Sequence, residues 1–193
     1  MVVPRDRKPE EAPLRVLFVC TANIARSPYA ERRASQLLPD HAPEGRGVWL
    51  ASAGMPGYPG RDMDPEMAAQ LRARGGEPNG HVSRAVTHEL LVESDLVLTF
   101  EFAQRLRIID EWPDQALKVF GVRQFTHALE RIPAPAHGLE LLDQAYTARL
   151  PDGMNLDVVD PHRRGAAAAR ACADEIDAML AAIVPALSAP GSR

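Results

Sequence analysis

Cys20 closes an apolar run at residues 14–19, and Arg26 follows it six residues later. Between them lie Thr21, Ala22, Asn23, Ile24 and Ala25, and Ser27 and Pro28 come directly after. The thiol is a candidate nucleophile, and the planar fork of an arginine fits two phosphoryl oxygens. The pair alone is a weak signal because arginine is abundant here: of 22 cationic residues only Lys8 and Lys118 are lysines. The surroundings sharpen it. A short loop between a strand end and a helix start can turn its N–H groups onto an anion, and the helix N-terminus adds partial positive charge. A cysteine in such a field is activated as a thiolate. A strong sulfur nucleophile at the base of an anion cradle points to phosphoryl transfer through phosphocysteine.

The elements that must hold such a loop are legible on either side of it. Residues 14–19 have the length and apolar content of a buried parallel strand. Residues 28–38 read as a helix, with Ser27 as its N-cap and Pro28 at its first position. A second strand is expected at 48–52. A helix opens at Asp64-Pro65-Glu66 and is closed by Gly75-Gly76. Residues 87–94 form a short helix, 96–100 a third strand, 102–110 a helix and 117–122 a fourth strand. A long Ala-rich helix spans 165–187, with Ile176, Leu180, Ile183 and Leu187 at helical spacing. This alternation predicts an α/β fold: a parallel sheet with right-handed crossovers and helices on both faces. Ligands bind such sheets at the carboxyl ends of the strands, which is where the Cys20 loop lies.

Residues 126–157 fit the alternation poorly and read as an insert near the cleft. A Pro-rich stretch at 132–137 leads into a helical pattern of Leu139, Leu142, Tyr146 and Leu150, stopped at Pro151. The insert either packs on the outside of the sheet or forms a lid over the cleft mouth with Tyr146 as its contact.

The 193 residues suit one domain, expected over 14–187 with disordered tails at 1–13 and 188–193. A formal charge of −4 argues against a nucleic-acid binder. Two cysteines, Cys20 and Cys172, exclude a disulfide framework and a multi-cysteine metal site, and fit a reducing compartment. The polar N-terminal stretch lacks the apolar segment of a secretion signal, and no run is long enough to span a membrane. The expectation is a cytoplasmic protein with no metal and no cofactor, whose partners include neither nucleic acid nor membrane; its oligomeric state is open.

The stretch Val-Leu-Phe-Val-Cys20-x-x-Asn23-x-x-Arg26-Ser27-Pro28 resembles the low-molecular-weight protein tyrosine phosphatase family. Ser52-Ala53-Gly54, His81-x-x-Arg84 and Asp160-Pro161 extend the likeness at the expected distances. The resemblance covers roughly residues 14–125 and 156–187 and its motifs are specific. It implies a doubly wound, four-stranded parallel sheet and a metal-free, two-step hydrolysis of a phosphorylated protein or a small phosphomonoester. By matching position it makes Cys20 the nucleophile, Arg26 the phosphate binder and Asp160 the general acid, then base. Thr21, Ala22, Asn23, Ile24, Ala25 and Ser27 would line the phosphate, and Ser52 and His81 would support the loop with Asn23 and Ser27. Ser27 would also help the thiolate leave.

Two departures from the family pattern and one match to it bear on protection of the nucleophile and on substrate. Ala25 stands where many relatives carry a second cysteine. His162-Arg163 stands where an aromatic pair often walls a phosphotyrosine ring, which leaves Tyr58 and His162 as candidate walls. Ile24 resembles the tyrosine branch of the family rather than the phosphoarginine branch, where a threonine is expected. Asp64 competes with Asp160 for the acid's place, but its position before Pro65 explains it as a helix N-cap, so replacing it should leave the rate alone. Two other readings stay open at this stage. One is arsenate reduction on the same scaffold, for which Cys172 is the one thiol available in the chain. The other is a catalytically weak phosphate-binding regulatory module.

Overall fold

The computed structural model describes residues 13–41, 47–133, 136, 138–151 and 153–188. The tails expected to be disordered therefore lie outside the described residues, save for Pro13 and Ser188.

Four parallel strands, β1 (Leu14–Cys20), β2 (Val48–Gly54), β3 (Leu96–Thr99) and β4 (Val119–Gly121), form one sheet in the order β2-β1-β3-β4. The chain leaves β1 for β2 on one side and later returns to place β3 on the other. The carboxyl end of β1 is thus the switch point of a doubly wound sheet, the crevice where such folds bind ligands. Strand period sorts the core into two layers. Val16, Phe18 and Cys20 of β1 join Leu96, Leu98 and Phe120 on one face, while Leu17 and Val19 join Val97 and Val119 on the other. Cys20 therefore points to the face covered by α1 (Arg26–His41), α2 (Pro65–Ala73), α5 (Val122–Arg131), α6 (Gly138–Ala148) and α7 (Gly165–Ser188). The opposite face carries α3 (His88–Glu93) and α4 (Phe102–Glu111), through Leu91 and Ile108.

Three expectations are corrected. The first helix begins at Arg26, so Ser27 lies inside its first turn and does not cap it. The fourth strand is shorter than 117–122, because a 3-10 helix takes Pro113–Lys118, with Pro113 fixing its first turn. The insert does not begin at Thr126: that residue belongs to α5, which starts directly after β4.

Within the described remainder of the insert, α6 buries one face. Leu141, Leu142 and Ala145 of α6 join the same core cluster as Phe120, Phe125 and Ala169, and Tyr146 packs against that cluster with Arg149 over its ring at 4.1 Å. These contacts favour the packing reading of the segment, with Tyr146 against the core cluster. Leu141→Ala should lower stability by about 2–5 kcal/mol, the usual range for a buried leucine. Denaturant unfolding and rates across several phosphate substrates check this; a change in relative rates without a stability loss would restore the lid.

Candidate active site

The candidate phosphate loop is residues 20–26, and its shape follows from a few side chains. Asn23 holds the left-handed conformation, φ 58°, which asparagine tolerates better than most residues. Its side chain is fully buried and fully used. Nδ2 donates to Ser27 Oγ at 3.0 Å and to Ser52 Oγ at 2.9 Å, and Oδ1 accepts from the Arg84 N–H at 2.9 Å. His81 Nε2 lies 2.7 Å from the Asn23 carbonyl, holding the strained residue from outside. Ser52 also donates to Glu31, and Arg84 Nε donates to the Ser52 carbonyl. The expected supports, Ser52 and His81, are thus in contact with Asn23.

A second set of contacts pins the loop to its neighbours. The Met55 N–H donates to the Cys20 carbonyl and the Gly57 N–H to the Thr21 carbonyl. Gly54 passes so close that a Cβ there would meet Gly57 Cα at 2.6 Å and the Thr21 carbonyl oxygen at 2.9 Å. The glycine of Ser52-Ala53-Gly54 is therefore set by backbone approach to the phosphate loop. Gln104 of α4 bridges two strand ends: Oε1 accepts from the Phe100 and Glu101 N–H groups, and Nε2 donates to Thr21 Oγ1.

Cys20 is buried, and its sulfur lies 3.0 Å from Ser27 Oγ. Having lost its capping role, Ser27 serves the sulfur instead. Arg26 is only 1% exposed. Its Nη1 donates to the Val158 carbonyl at 2.8 Å and pairs with Glu101, while Nη2 lies 3.1 Å from Asp160 Oδ2. Burial works against the guanidinium charge, but Cys20, Asp160 and Glu101 outweigh it and hold its proton more tightly than in free arginine. Nε is buried with no hydrogen-bond partner among the described residues. A buried cationic donor left unpartnered beside a cradle of backbone N–H groups is what an oxyanion satisfies.

Asp160 is half exposed at the mouth, facing Arg26, and its Oδ1 accepts from the His162 N–H at 3.3 Å. The strand-like stretch before it is tied to the sheet: the Val158 N–H donates to the Phe100 carbonyl, and the Phe102 N–H to Asp157 Oδ1 at 2.6 Å. Tyr58 is exposed at the rim, one residue past Gly57, with Arg61 over its ring at 5.4 Å. Ala22, Ile24 and Ala25 pack into the main core with their side chains, leaving backbone as their contribution to the cradle.

Three residues of the site were not foreseen from the sequence. Glu101 holds Arg26, Gln104 links the loop to α4, and Asp64 has a second partner besides its cap: Oδ1 accepts from the Glu66 and Met67 N–H groups, while Oδ2 receives His162 Nδ1 at 2.7 Å. The one signal for Glu101 is its place two residues past β3, at the strand end where ligands bind, and it does not indicate Arg26 as a partner. Cys172 lies in the core on α7, where burial pushes its thiol up to about 12. Among the described residues no group of three or more His, Cys, Asp or Glu side chains could hold a metal ion, and no helix is long and apolar enough to cross a membrane.

Residues 15–148 match the family described as Low molecular weight phosphotyrosine protein phosphatase. Similar curated proteins include the low molecular weight protein-tyrosine phosphatase A of Mycobacterium tuberculosis, 34% identical over 65% of this chain and 78% of that one. Another is the low molecular weight protein-tyrosine-phosphatase Wzb of Salmonella typhi, 31% identical over 54% of this chain and 66% of that one, slightly under two thirds of its length. Among solved structures, the YwlE arginine phosphatase from Geobacillus stearothermophilus superposes with a TM-score of 0.69 at 24% identity, covering 89% of this chain and 91% of that one.

Proposed function

The chain belongs to the low molecular weight phosphotyrosine protein phosphatase family, and we propose that it hydrolyses phosphotyrosine in proteins through a phosphocysteine on Cys20. The observation that carries this reading is the Arg26 cluster. One buried guanidinium, with a free Nε, reaches Asp160 at the mouth and sits beside the Cys20 loop.

The steps follow from the groups present. The phosphoryl group enters the loop 20–26 and is held by backbone N–H groups and by Arg26, whose charge meets the oxyanions. The Cys20 sulfur attacks phosphorus as the P–O bond to the leaving group breaks, and Asp160 delivers a proton to that oxygen. Water then attacks the phosphocysteine, Asp160 takes the water's proton, and the P–S bond breaks to return the thiolate and release phosphate. Ser27, in contact with the sulfur, supports the thiolate as it leaves. Asn23, Ser52 and His81 keep the loop closed around the anion, with Thr21, Ala22, Ile24 and Ala25 completing its backbone. Tyr58 at the rim and His162 beside Asp160 are the candidate walls for the aryl ring.

Support for tyrosine over arginine as the phosphorylated residue comes from the sequence relatives and from Ile24 in the position after Asn23. Support against arsenate reduction comes from Cys172, which is buried in the core and lacks the thiolate character of a relay thiol. A nucleophile that must stay reduced favours a reducing, cytoplasmic setting. Phosphate release from matched phosphotyrosine and phosphoarginine peptides tests the reading: the first should be the better substrate by kcat/KM, and the reverse order would assign the chain to the arginine chemistry.

Asp160→Asn should slow aryl phosphates with poor leaving groups by about 10²–10⁴-fold while changing those with good ones far less, because only the former need the proton. Initial rates across a series of substituted phenyl phosphates check this. A uniform loss across the series would remove Asp160 from the acid's role.

A further inference from the structure

Asp64 is only 7% exposed, and its hydrogen bonds join three separate parts of the site. Its backbone N–H donates to the Ile24 carbonyl of the phosphate loop at 2.7 Å. Its Oδ1 accepts from the first turn of α2. Its Oδ2, pointing the other way, lies 2.7 Å from Nδ1 of His162. His162 in turn gives its backbone N–H to Asp160 Oδ1. An unbroken chain of contacts therefore runs from the floor of the cradle, through Asp64 and His162, to the carboxyl group at the mouth.

The sequence distance matters here. Asp64 and Asp160 are far apart in the chain, and residues 157–164 form a loop without regular structure. Asp160 itself is half exposed and touches Arg26 through one oxygen only. Its other oxygen is held only by the His162 N–H of the same turn, so the placement of the carboxyl depends on what holds that turn. Proton transfer needs the acid within hydrogen-bond reach of the leaving oxygen. The backbone turn at 161–164, where the Arg164 N–H donates to the Pro161 carbonyl and Arg163 takes the left-handed conformation at φ 60°, fixes the loop on one side. Asp64 fixes it on the other.

We infer that Asp64 and His162 act as a positioning pair for the general acid: the side-chain bond between them holds the 160–162 turn over the phosphate loop, so that the Asp160 carboxyl faces the leaving group. His162 accordingly does more than stand where a wall is expected, and Asp64 does more than cap α2. This inference rests on the reading of Asp160 as the acid, and the experiment below separates the two.

The test uses two variants that break the same bond from opposite ends. His162→Ala removes the ring and leaves the α2 cap untouched. Asp64→Ser keeps a good N-cap residue but is too short to reach His162. With the substituted phenyl phosphate series, both should steepen the dependence of kcat on leaving group in the direction of Asp160→Asn. The poorest leaving groups should lose about 10-fold, inside the 10² that an ångström of misplacement can cost. Vanadate affinity should stay within about twofold, since the cradle is not altered. Combining His162→Ala with Asp160→Asn should add no further loss on poor leaving groups, because the position of an absent acid is immaterial. A wild-type slope in both variants, or losses that multiply in the double variant, would overturn the inference while leaving the acid assignment standing. A flat series for Asp160→Asn itself would instead overturn the assignment on which the pair depends.

Discussion

Cys20→Ser should abolish turnover, by about 10⁴-fold or more, while the protein still folds and still binds orthophosphate or vanadate. The expectation has two halves because the site separates two tasks. In the proposed mechanism binding is the work of backbone N–H groups and Arg26, none of which the substitution touches. Bond formation to phosphorus is the work of the sulfur alone. A serine hydroxyl fits the buried position next to Ser27 Oγ and Asn23, but it lacks a base within the contacts described and is a poor nucleophile without one. Rapid acid quenching of the unaltered enzyme with a labelled substrate should place the phosphoryl group on the peptide containing Cys20. Cys172→Ala serves as the comparison, since that thiol is buried on α7 and should leave kcat unchanged. Residual turnover of Cys20→Ser within tenfold of the unaltered enzyme, or label recovered elsewhere, would refute the nucleophile assignment.

The parts of this site that the sequence exposes are those encoded by neighbours in the chain. Cys20, Asn23, Arg26 and Ser27 fall within one strand–loop–helix unit, so their spacing alone states that they share a space. The near-continuous burial of β1 could likewise be read directly from its apolar run, as could Asp64 before Pro65 at the start of α2. What escapes is whatever depends on two distant segments meeting. Asp64 offers two carboxyl oxygens, and the local pattern accounts for only one of them; the partner of the second, His162, lies 98 residues away. Glu101 looks like an ordinary polar residue before a helix, and its role appears only when β3 is placed beside β1. Ser27 illustrates the opposite error. Serine before proline is a strong capping signal, yet the helix starts two residues earlier, at Arg26, and contacts with Asn23 and Cys20 claim the Ser27 hydroxyl. The insert is legible only in part for a related reason: an apolar stripe shows that a helix must cover something, but not whether that is a cleft or the core.

Arg26→Lys should cost about 10³-fold or more in kcat/KM and should weaken phosphate and vanadate binding as well, although it conserves the charge. The guanidinium is held by three acceptors at its two Nη groups: the Val158 carbonyl and Glu101 at Nη1, and Asp160 at Nη2. That arrangement fixes its plane and leaves the buried Nε edge without a protein partner. An ammonium has no plane to fix. It can satisfy one or two of these acceptors, but then has no second donor at a set angle to meet an oxyanion. It would also leave Glu101 and Asp160 competing for a single point charge, drawing the acid away from the leaving group. The loss should therefore appear in both binding and chemistry, in contrast to Cys20→Ser, which spares binding, and to Asp160→Asn, which spares good leaving groups. Circular dichroism and thermal unfolding should confirm that Arg26→Lys retains the fold, and titration with vanadate reads the binding half directly. If kcat/KM falls by less than tenfold and vanadate binds as before, the fork geometry at Arg26 is not what the cradle uses, and charge alone suffices.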